Sequence, residues 1–276
     1  MINALSRSLW FVRIFHWEFW PSQLANIPVF IYWLYFSIRA RSITFFSAAN
    51  PAIETGGMYG ESKIRIIDLI PPEYKPLTLY IEPNTPIDTI LQKIREAGIS
   101  FPLIAKPDIG ERGLRVEKIN SPGELAHYLL QTPVALLIQE YVDYPEEYSV
   151  FHYRFPGQEK GVISSFCHKI YLSVTGDGTS TLRELICAYP RAHLQLPVLE
   201  ERMSAQMSLV PAAGEKVVLL PIGNHARGAM FLDVHQEIDA ALRQVFDNLS
   251  HRLPGIYFCR HDLKCRSLAD LKAGQH

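Results

Sequence analysis

Lys106 closes the apolar run Phe101 to Ala105 and is followed by a turn bracketed by Gly110 and Gly113. A buried run such as Leu103, Ile104 and Ala105 fixes the position of one cation. The two glycines let backbone N–H groups crowd around an anion where side chains would clash. That arrangement handles phosphate, although a solvated lysine before a plain β-turn has the same local sequence. A second lysine, Lys63, follows Gly60 at the start of a helical pattern, and a third, Lys169, lies seven residues before the turn Gly176-Asp177-Gly178. Arg260 and Asp262 are two residues apart on a strand pattern, so alternation puts both on one face. Cations converging from separate elements suit a polyanion, because one ammonium cannot neutralise charge spread over three phosphoryl groups.

The elements that must position these groups alternate between strand and helix periodicity from residue 42 onward. Strands are predicted over Ile43 to Ser47, Leu77 to Glu82, Leu103 to Lys106, Leu114 to Ile119, Ala135 to Tyr141, Tyr148 to Arg154, Gly161 to Tyr171, Lys216 to Leu220 and Gly255 to Cys265. Helices are predicted over Ser62 to Leu69, after Thr85-Pro86, after Ser121-Pro122, after Thr181, and over Glu200 to Met207 and Glu237 to Leu253. Ser121 with Glu124, and Thr181 with Glu184, have capping-box spacing, and Thr85 is expected to cap the helix carrying Ile87, Ile90, Leu91 and Ile94. The segment Asn50 to Lys63 reads either as part of a substrate pocket or as a tight structural loop.

At 276 residues, 48% hydrophobic, 20% charged and with net charge -1, the chain can bury one large or two modest cores. A near-neutral chain lacks the broad basic field that a nucleic-acid backbone demands, so nucleic acid is excluded as a partner. Cys167, Cys187, Cys259 and Cys265 have no metal-ligand spacing and read as reduced core thiols of a cytoplasmic protein. The first forty residues differ from the rest: Leu9 to Trp20 is rich in Trp and Phe, and Ile27 to Ile38 is a twelve-residue apolar run closed by Arg39 and Arg41. Twelve residues fall short of the roughly twenty that a spanning helix needs. Three readings stay open: a hydrophobic helical pair packed on the domain or a partner, an interfacial membrane anchor, and a true span.

The order of these parts resembles that of the ATP-grasp carboxylate-amine ligases, over about Gly57 to Asp262. Similarity to the D-alanine:D-alanine ligases and to the ligase half of cyanophycin synthetases implies an α+β fold with two lobes sandwiching ATP, preceded by the hydrophobic helical segment. The division is 1–41 for that segment, 42–98 for the N-terminal and linker part, and 99–276 for the ATP-grasp domain. The resemblance implies that Lys63 and Lys106 reach the nucleotide phosphates and that Gly110 to Gly113 is the loop closing over them. It puts Gln139, Tyr141 and Val142 at adenine and Glu147 at ribose, with Glu140 or Glu146 as alternatives to Gln139 through a one-residue shift; an acidic hairpin is the plain reading of the same stretch. Lys169 would contact the γ-phosphate. Asn224 and Arg227 would lie at the substrate, or Arg227 would simply pair with Asp233. Arg260 would stabilise a tetrahedral oxyanion, and Asp262 would hold Mg2+.

The implied reaction uses ATP and Mg2+ to form an acylphosphate and then an amide, with small carboxylates and amines, such as amino acids or peptides, as substrates. The glutamate and asparagine that follow the aspartate in the family, completing its metal site, have no counterpart before His276. The expectation is therefore an open sheet edge and a ligase rate lowered roughly a thousandfold or more, about 4 kcal/mol of barrier. The rivals are a nucleotide-binding module without turnover, membrane-associated or not, and an ATP-grasp small-molecule kinase. A homodimer and a peripheral membrane contact through residues 9–41 stay open.

Overall fold

The computed structural model describes residues 26–58, 60–110, 114–220, 223 and 228–275. In chain order, helix α1 is Ile27–Ala40 and α2 is Lys63–Leu69; strand β1 (Thr78–Ile81) leads to α3 (Ile87–Glu96). Strands β2 (Leu103–Pro107) and β3 (Glu117–Ile119) precede α4 (Pro122–Gln131), which is followed by β4 (Leu136–Glu140), β5 (Glu146–Tyr153), β6 (Val162–Ile170) and β7 (Leu172–Thr175). Short helices α5 (Leu182–Ala188), α6 (Pro190–His193) and α7 (Leu196–Arg202) lead to β8 (Lys216–Leu220) and β9 (Met230–Asp233). Helix α8 (Ala240–His251), strand β10 (Phe258–Cys265) and α9 (Leu268–Lys272) follow. The chain is therefore α+β.

It divides into two compact units. The larger holds the described residues of Thr44–Cys167 and Asp233–His276, and the smaller those up to Ile43 and of His168–Leu232. In the larger unit one sheet has the order β1-β4-β2-β3, antiparallel where β2 meets β3 and β4 and where β1 meets β4. Alternation sends Ile81, Leu103, Ala105, Ile119, Leu136 and Ile138 to one face, where they bury against Ile90 and Ile94 of α3 and Leu125 and Tyr128 of α4. A second sheet has the order β10-β5-β6-β9, of which β5, β10 and the first part of β6 belong to the larger unit. Its covered face brings Tyr148, Val150, Ile163 and Phe166 onto Leu242, Phe246 and Leu249 of α8. The smaller unit has its own core, where Leu172, Val174, Leu219 and Leu220 of the β7–β8 pair meet Leu182, Ile186 and Leu199.

Several boundaries depart from the sequence reading, each for a local reason. Ile43 to Ser47 is not a strand; Phe45–Ala49 is a 3-10 turn, with both the Ser47 hydroxyl (2.8 Å) and its amide (3.0 Å) donating to the Thr44 carbonyl. Thr85 does not cap α3: its hydroxyl donates to the Glu82 carbonyl at 2.8 Å within a turn whose Asn84 has φ 62°, so the helix begins two residues on. Ser121 caps α4 as expected, but Glu124 reaches back to the Asn120 amide at 2.8 Å, one residue beyond the box. The Thr181–Glu184 box is complete. Asp239 caps α8, which starts at Ala240 and not at Glu237. Helix α7 is Leu196–Arg202, with a 3-10 turn at Ser204–Gln206, and not Glu200 to Met207; strands β7 and β9 and helices α6 and α9 were not anticipated, all four being five residues or fewer, too short for periodicity to declare.

Asn50 decides how the segment ahead of α2 is held. Its amide nitrogen donates to the Gly56 carbonyl (3.1 Å) and the Phe258 carbonyl (2.8 Å), while its oxygen accepts from the Tyr257 (3.0 Å) and Phe258 (3.1 Å) amides. Both donors and both lone pairs of the side chain are therefore satisfied, in a residue only 6% exposed. The bonds tie a loop to the start of β10 across about two hundred residues, which favours the structural reading of this part of the segment. Asn50→Ala strands these backbone groups in a buried place, and we expect a loss of about 2–4 kcal/mol in urea denaturation. Asn50→Asp, which keeps the acceptor but removes both donors, should not restore it.

Candidate functional site

The face of the first sheet turned away from α3 and α4 is fixed by the same alternation that makes the core. Register places Thr78 opposite Gln139, Gln139 opposite Ile104, Ile104 opposite Lys118, and Leu137 between Tyr80 and Lys106. Lys106 Nζ donates to Gln139 Oε1 at 2.9 Å, and Gln139 Nε2 donates to Thr78 Oγ1 at 2.7 Å. Gln139 thus holds the lysine. Glu140, on the alternate face, instead accepts from the Leu77 amide at 2.9 Å and extends the β1 edge.

Lys63 engages the turn after β2. Its ammonium donates to the carbonyls of Pro107 (3.2 Å), Asp108 (2.9 Å) and Gly110 (2.7 Å). Asp108, buried, accepts from the Ile64 amide at 2.9 Å and so joins the first turn of α2 to the same loop. Gly110 takes φ 153°, a backbone conformation that L side chains rarely adopt. Burial first, and then the charge of Lys63, push the Lys106 ammonium down to about 8.

A second polar face lies on β5 and β10 within the same unit. Register sets Lys264 opposite Glu147, Asp262 opposite Ser149 and Arg260 opposite Phe151. Arg260 Nη2 lies 2.9 Å from Asp262 Oδ2, and Ser149 Oγ donates to Asp262 Oδ1 at 2.8 Å. Both members of the ion pair are exposed, at 56% and 41%. The two faces meet at Tyr141: Lys118 Nζ lies 3.8 Å and Lys264 Nζ 5.4 Å from its ring centroid, and Lys264 also donates to the Val142 carbonyl at 3.1 Å. Burial lowers the Lys264 ammonium from its ordinary value and Lys118 adds to this, against Glu147 and Asp143.

The larger unit thus holds Lys63, Lys106, Gly110, Gln139, Tyr141, Val142, Glu147, Arg260 and Asp262. Lys169 lies in the smaller unit, buried, with its Nζ 5.5 Å from the Phe231 ring centroid. Gly113, Asn224 and Arg227 lie outside the described residues. Sequence reasoning missed Lys118, Lys264, Thr78 and Ser149. Period-two counting from Lys106 and Asp262, followed by strand pairing, is the signal that finds them. The turn after Lys169 is structural: Asp177 accepts from the Ser180 amide (2.7 Å) and hydroxyl (2.7 Å) and from the Thr179 amide (2.8 Å), which hold its carboxyl below the usual range, and Gly178 takes φ 77°.

For magnesium, Asp262 with the adjacent Ser149 hydroxyl offers hard oxygen donors. Among the described residues no group of three His, Cys, Asp or Glu side chains could hold a metal ion. Such a donor set fits a magnesium carried mainly by phosphate oxygens and water, with one protein carboxylate. Burial raises the Cys259 and Cys265 thiols to about 11, which keeps these two protonated, and all four cysteines are free.

No protein-family model matches the chain, and no curated protein does. Among solved structures it is similar to a bifunctional glutathione synthetase from Pasteurella multocida, with 16% identity over 75% of this chain and 29% of that one, at a TM-score of 0.39. It is also similar to the D-alanine–D-alanine ligase of Bacillus anthracis (12% identity, 74% of this chain, 52% of that one, TM-score 0.43). The VanG D-Ala:D-Ser ligase of Enterococcus faecalis gives 12% identity over 74% of this chain and 48% of that one, at a TM-score of 0.42. The chain spans about half or less of each of these structures. At TM-scores below 0.5 the functional reading rests on the chain's own residues.

The depressed Lys106 makes a prediction of definite sign. Its folded value lies below the unfolded one, so the charged side chain destabilises the fold at neutral pH by on the order of 3 kcal/mol. That penalty is complete below about pH 8 and fades between about 8 and 10.5, as the folded state releases its proton ahead of the unfolded chain. Lys106→Met should therefore be more stable than the parent by about 1–3 kcal/mol at pH 7, with the margin shrinking toward pH 10 in denaturant titrations. A margin that is absent, or that grows with pH, would refute the burial of this charge.

Proposed function

We propose that the larger unit binds ATP and that the chain belongs in chemistry to the ATP-grasp carboxylate-amine ligases. One observation carries the reading: Lys106 is held half-buried by a neutral amide beside a second cation, Lys63, on a face that continues to an aromatic ring and a carboxylate. A desolvated cation in such a place is completed by an anion, whose charge opposes the lowering that burial and Lys63 impose. Tyr141, with Lys118 and Lys264 over it, and Glu147 opposite Lys264 offer the apolar and acidic groups that a base and a ribose require.

In this reading Lys106 takes the phosphates, Gln139 keeps its ammonium aimed, and Lys63 holds the closing turn in place through three carbonyls. Tyr141 and Val142 border adenine and Glu147 accepts from the ribose hydroxyls. Asp262, with Ser149 beside it, would hold magnesium, which when bound neutralises phosphate charge. A substrate carboxylate oxygen attacks the γ-phosphorus, the bond to the β–γ bridging oxygen breaks, and ADP leaves. An amine then attacks the acyl carbon of the acylphosphate; phosphate leaves and the amine loses a proton. Arg260 stabilises the oxyanion of that tetrahedral intermediate. No side-chain nucleophile is needed, and the work is positioning and charge stabilisation.

Isothermal titration with MgATP should give binding that Lys106→Ala weakens at least about tenfold. Arg260→Ala should leave ATP affinity within about threefold and lower amide formation by about a hundredfold or more. ADP release is to be followed with amino acids and dipeptides, with product analysis beside it. A phosphorylated product without amide would favour the kinase, binding without ADP release the non-catalytic module, and no binding at all would refute the reading. Lys169→Ala in the same assay tests the γ-phosphate role that the resemblance implies for that residue.

A further inference from the structure

Helix α1 has its polarity reversed with respect to water. Every large apolar residue from Ile27 to Ile38 except Trp33 is 44–71% exposed. The line turned inward is Trp33 and Ser37, one turn apart, and their Nε1 and Oγ are buried with no hydrogen-bond partner among the described residues. With successive residues about 100° apart, the exposed apolar positions run over roughly three quarters of the circumference. A helix in a protein groove or in a pair buries one stripe and keeps a polar one. This helix has no polar stripe to keep.

Its length and ends narrow the environment further. Fourteen residues rise about 21 Å, short of the roughly 30 Å of a hydrocarbon core, and no helix among the described residues is long and apolar enough to cross a membrane. Tyr35 lies in the C-terminal half, and Arg39 sits on it, with Nη1 3.3 Å from the hydroxyl and the guanidinium 5.8 Å from the ring centroid. Arg41 ends the helix in the left-handed conformation. No acidic residue occurs between Asn26 and Ile53, although the whole chain is slightly acidic, so this end is locally cationic. Apolar surface on most sides, with a tyrosine hydroxyl and two arginines toward one end, matches the boundary between acyl chains and anionic headgroups.

We propose that α1 inserts into one leaflet of an anionic bilayer, with Arg39 and Arg41 on lipid phosphates, and so holds the chain at a membrane surface. The inference is independent of the nucleotide reading. The test is flotation of the full chain with phosphatidylcholine vesicles and with vesicles containing 30% phosphatidylglycerol, about the charge of a bacterial or inner-leaflet surface. The expected result is binding that is tighter on the anionic vesicles. Ile31→Asp with Tyr35→Asp, both at exposed positions, should lower partitioning at least about tenfold on either vesicle. Arg39→Gln with Arg41→Gln should lower it by about tenfold or more on the anionic vesicles only. Circular dichroism and thermal melting confirm that each variant keeps its fold. Absence of flotation overturns the proposal, as does flotation that Ile31→Asp and Tyr35→Asp leave unchanged. A lipid-free dimer that these substitutions dissociate, without vesicle binding, overturns it in favour of an interface between two copies.

Discussion

A lysine drawn out of water beside another lysine is the constraint around which the larger unit is arranged. Burial lowers Lys106 to about 8, and the nearest charge acting on it is another cation. A fold that merely needed to fill this position would use Met or Leu, which have no charge to desolvate. The surrounding groups instead keep the ammonium in place: Gln139 accepts from it, Thr78 fixes Gln139, and the turn after β2 is tied down by Lys63 through three carbonyls. A neutral acceptor orients a cation without neutralising it, whereas a carboxylate there would satisfy the charge internally and weaken its hold on an external anion.

Strand alternation lets that constraint coexist with a well-packed core. On β2, Leu103 and Ala105 are buried against α3 and α4, while Ile104 and Lys106 take the other face; on β10, Arg260, Asp262 and Lys264 alternate with residues turned toward α8. Each strand therefore contributes to stability and to the site at once, and a shift of one residue in register would exchange the two faces. Asn50 helps to hold β10 in register at its first residue, bonding the backbone of Phe258 through both the amide and the carbonyl. Arg260 and Asp262 share a face through their spacing alone, and the register that Asn50 helps to hold decides which face of the sheet that is.

Much of this was legible in the sequence because strands and helices longer than about five residues declare themselves by period. The β8 boundaries are those expected, and the shared face of Arg260 and Asp262 followed from their spacing alone. What escaped depends on pairing between distant strands. Lys118 and Lys264 reach Tyr141 only once β3 is set beside β2 and β10 beside β5, and neither sits in a motif of its own. The hydrogen bonds of Asn50 were equally silent, since asparagine before proline reads as a turn former whatever it bonds. The strand expected over Ile43 to Ser47 failed because a local serine-to-carbonyl bond outweighs a weak apolar alternation. The turn at Gly176 to Gly178 has the most distinctive sequence in the chain, and its chemistry is used up in its own backbone, with Asp177 accepting from two amides and a hydroxyl.

The Arg260–Asp262 pair shows why two opposite charges can share a site without cancelling its use. Both side chains are substantially exposed, and an exposed pair contributes about 0–1 kcal/mol, so separating it costs little. Ser149 holds one oxygen of the carboxylate from the neighbouring strand, which keeps Asp262 in place when the arginine turns away. A cation competing for Oδ2 would loosen the guanidinium, and an oxyanion drawing the guanidinium off would loosen its hold on Oδ2, with Ser149 still on Oδ1. The two events favour each other, because each frees the partner that the other needs. A buried pair could not act so, since opening it would leave an unpaired charge out of water at a cost of several kcal/mol. Exposure at this end of the site and burial at Lys106 are therefore complementary: one charge is kept available by weak pairing with its opposite, the other by being denied one.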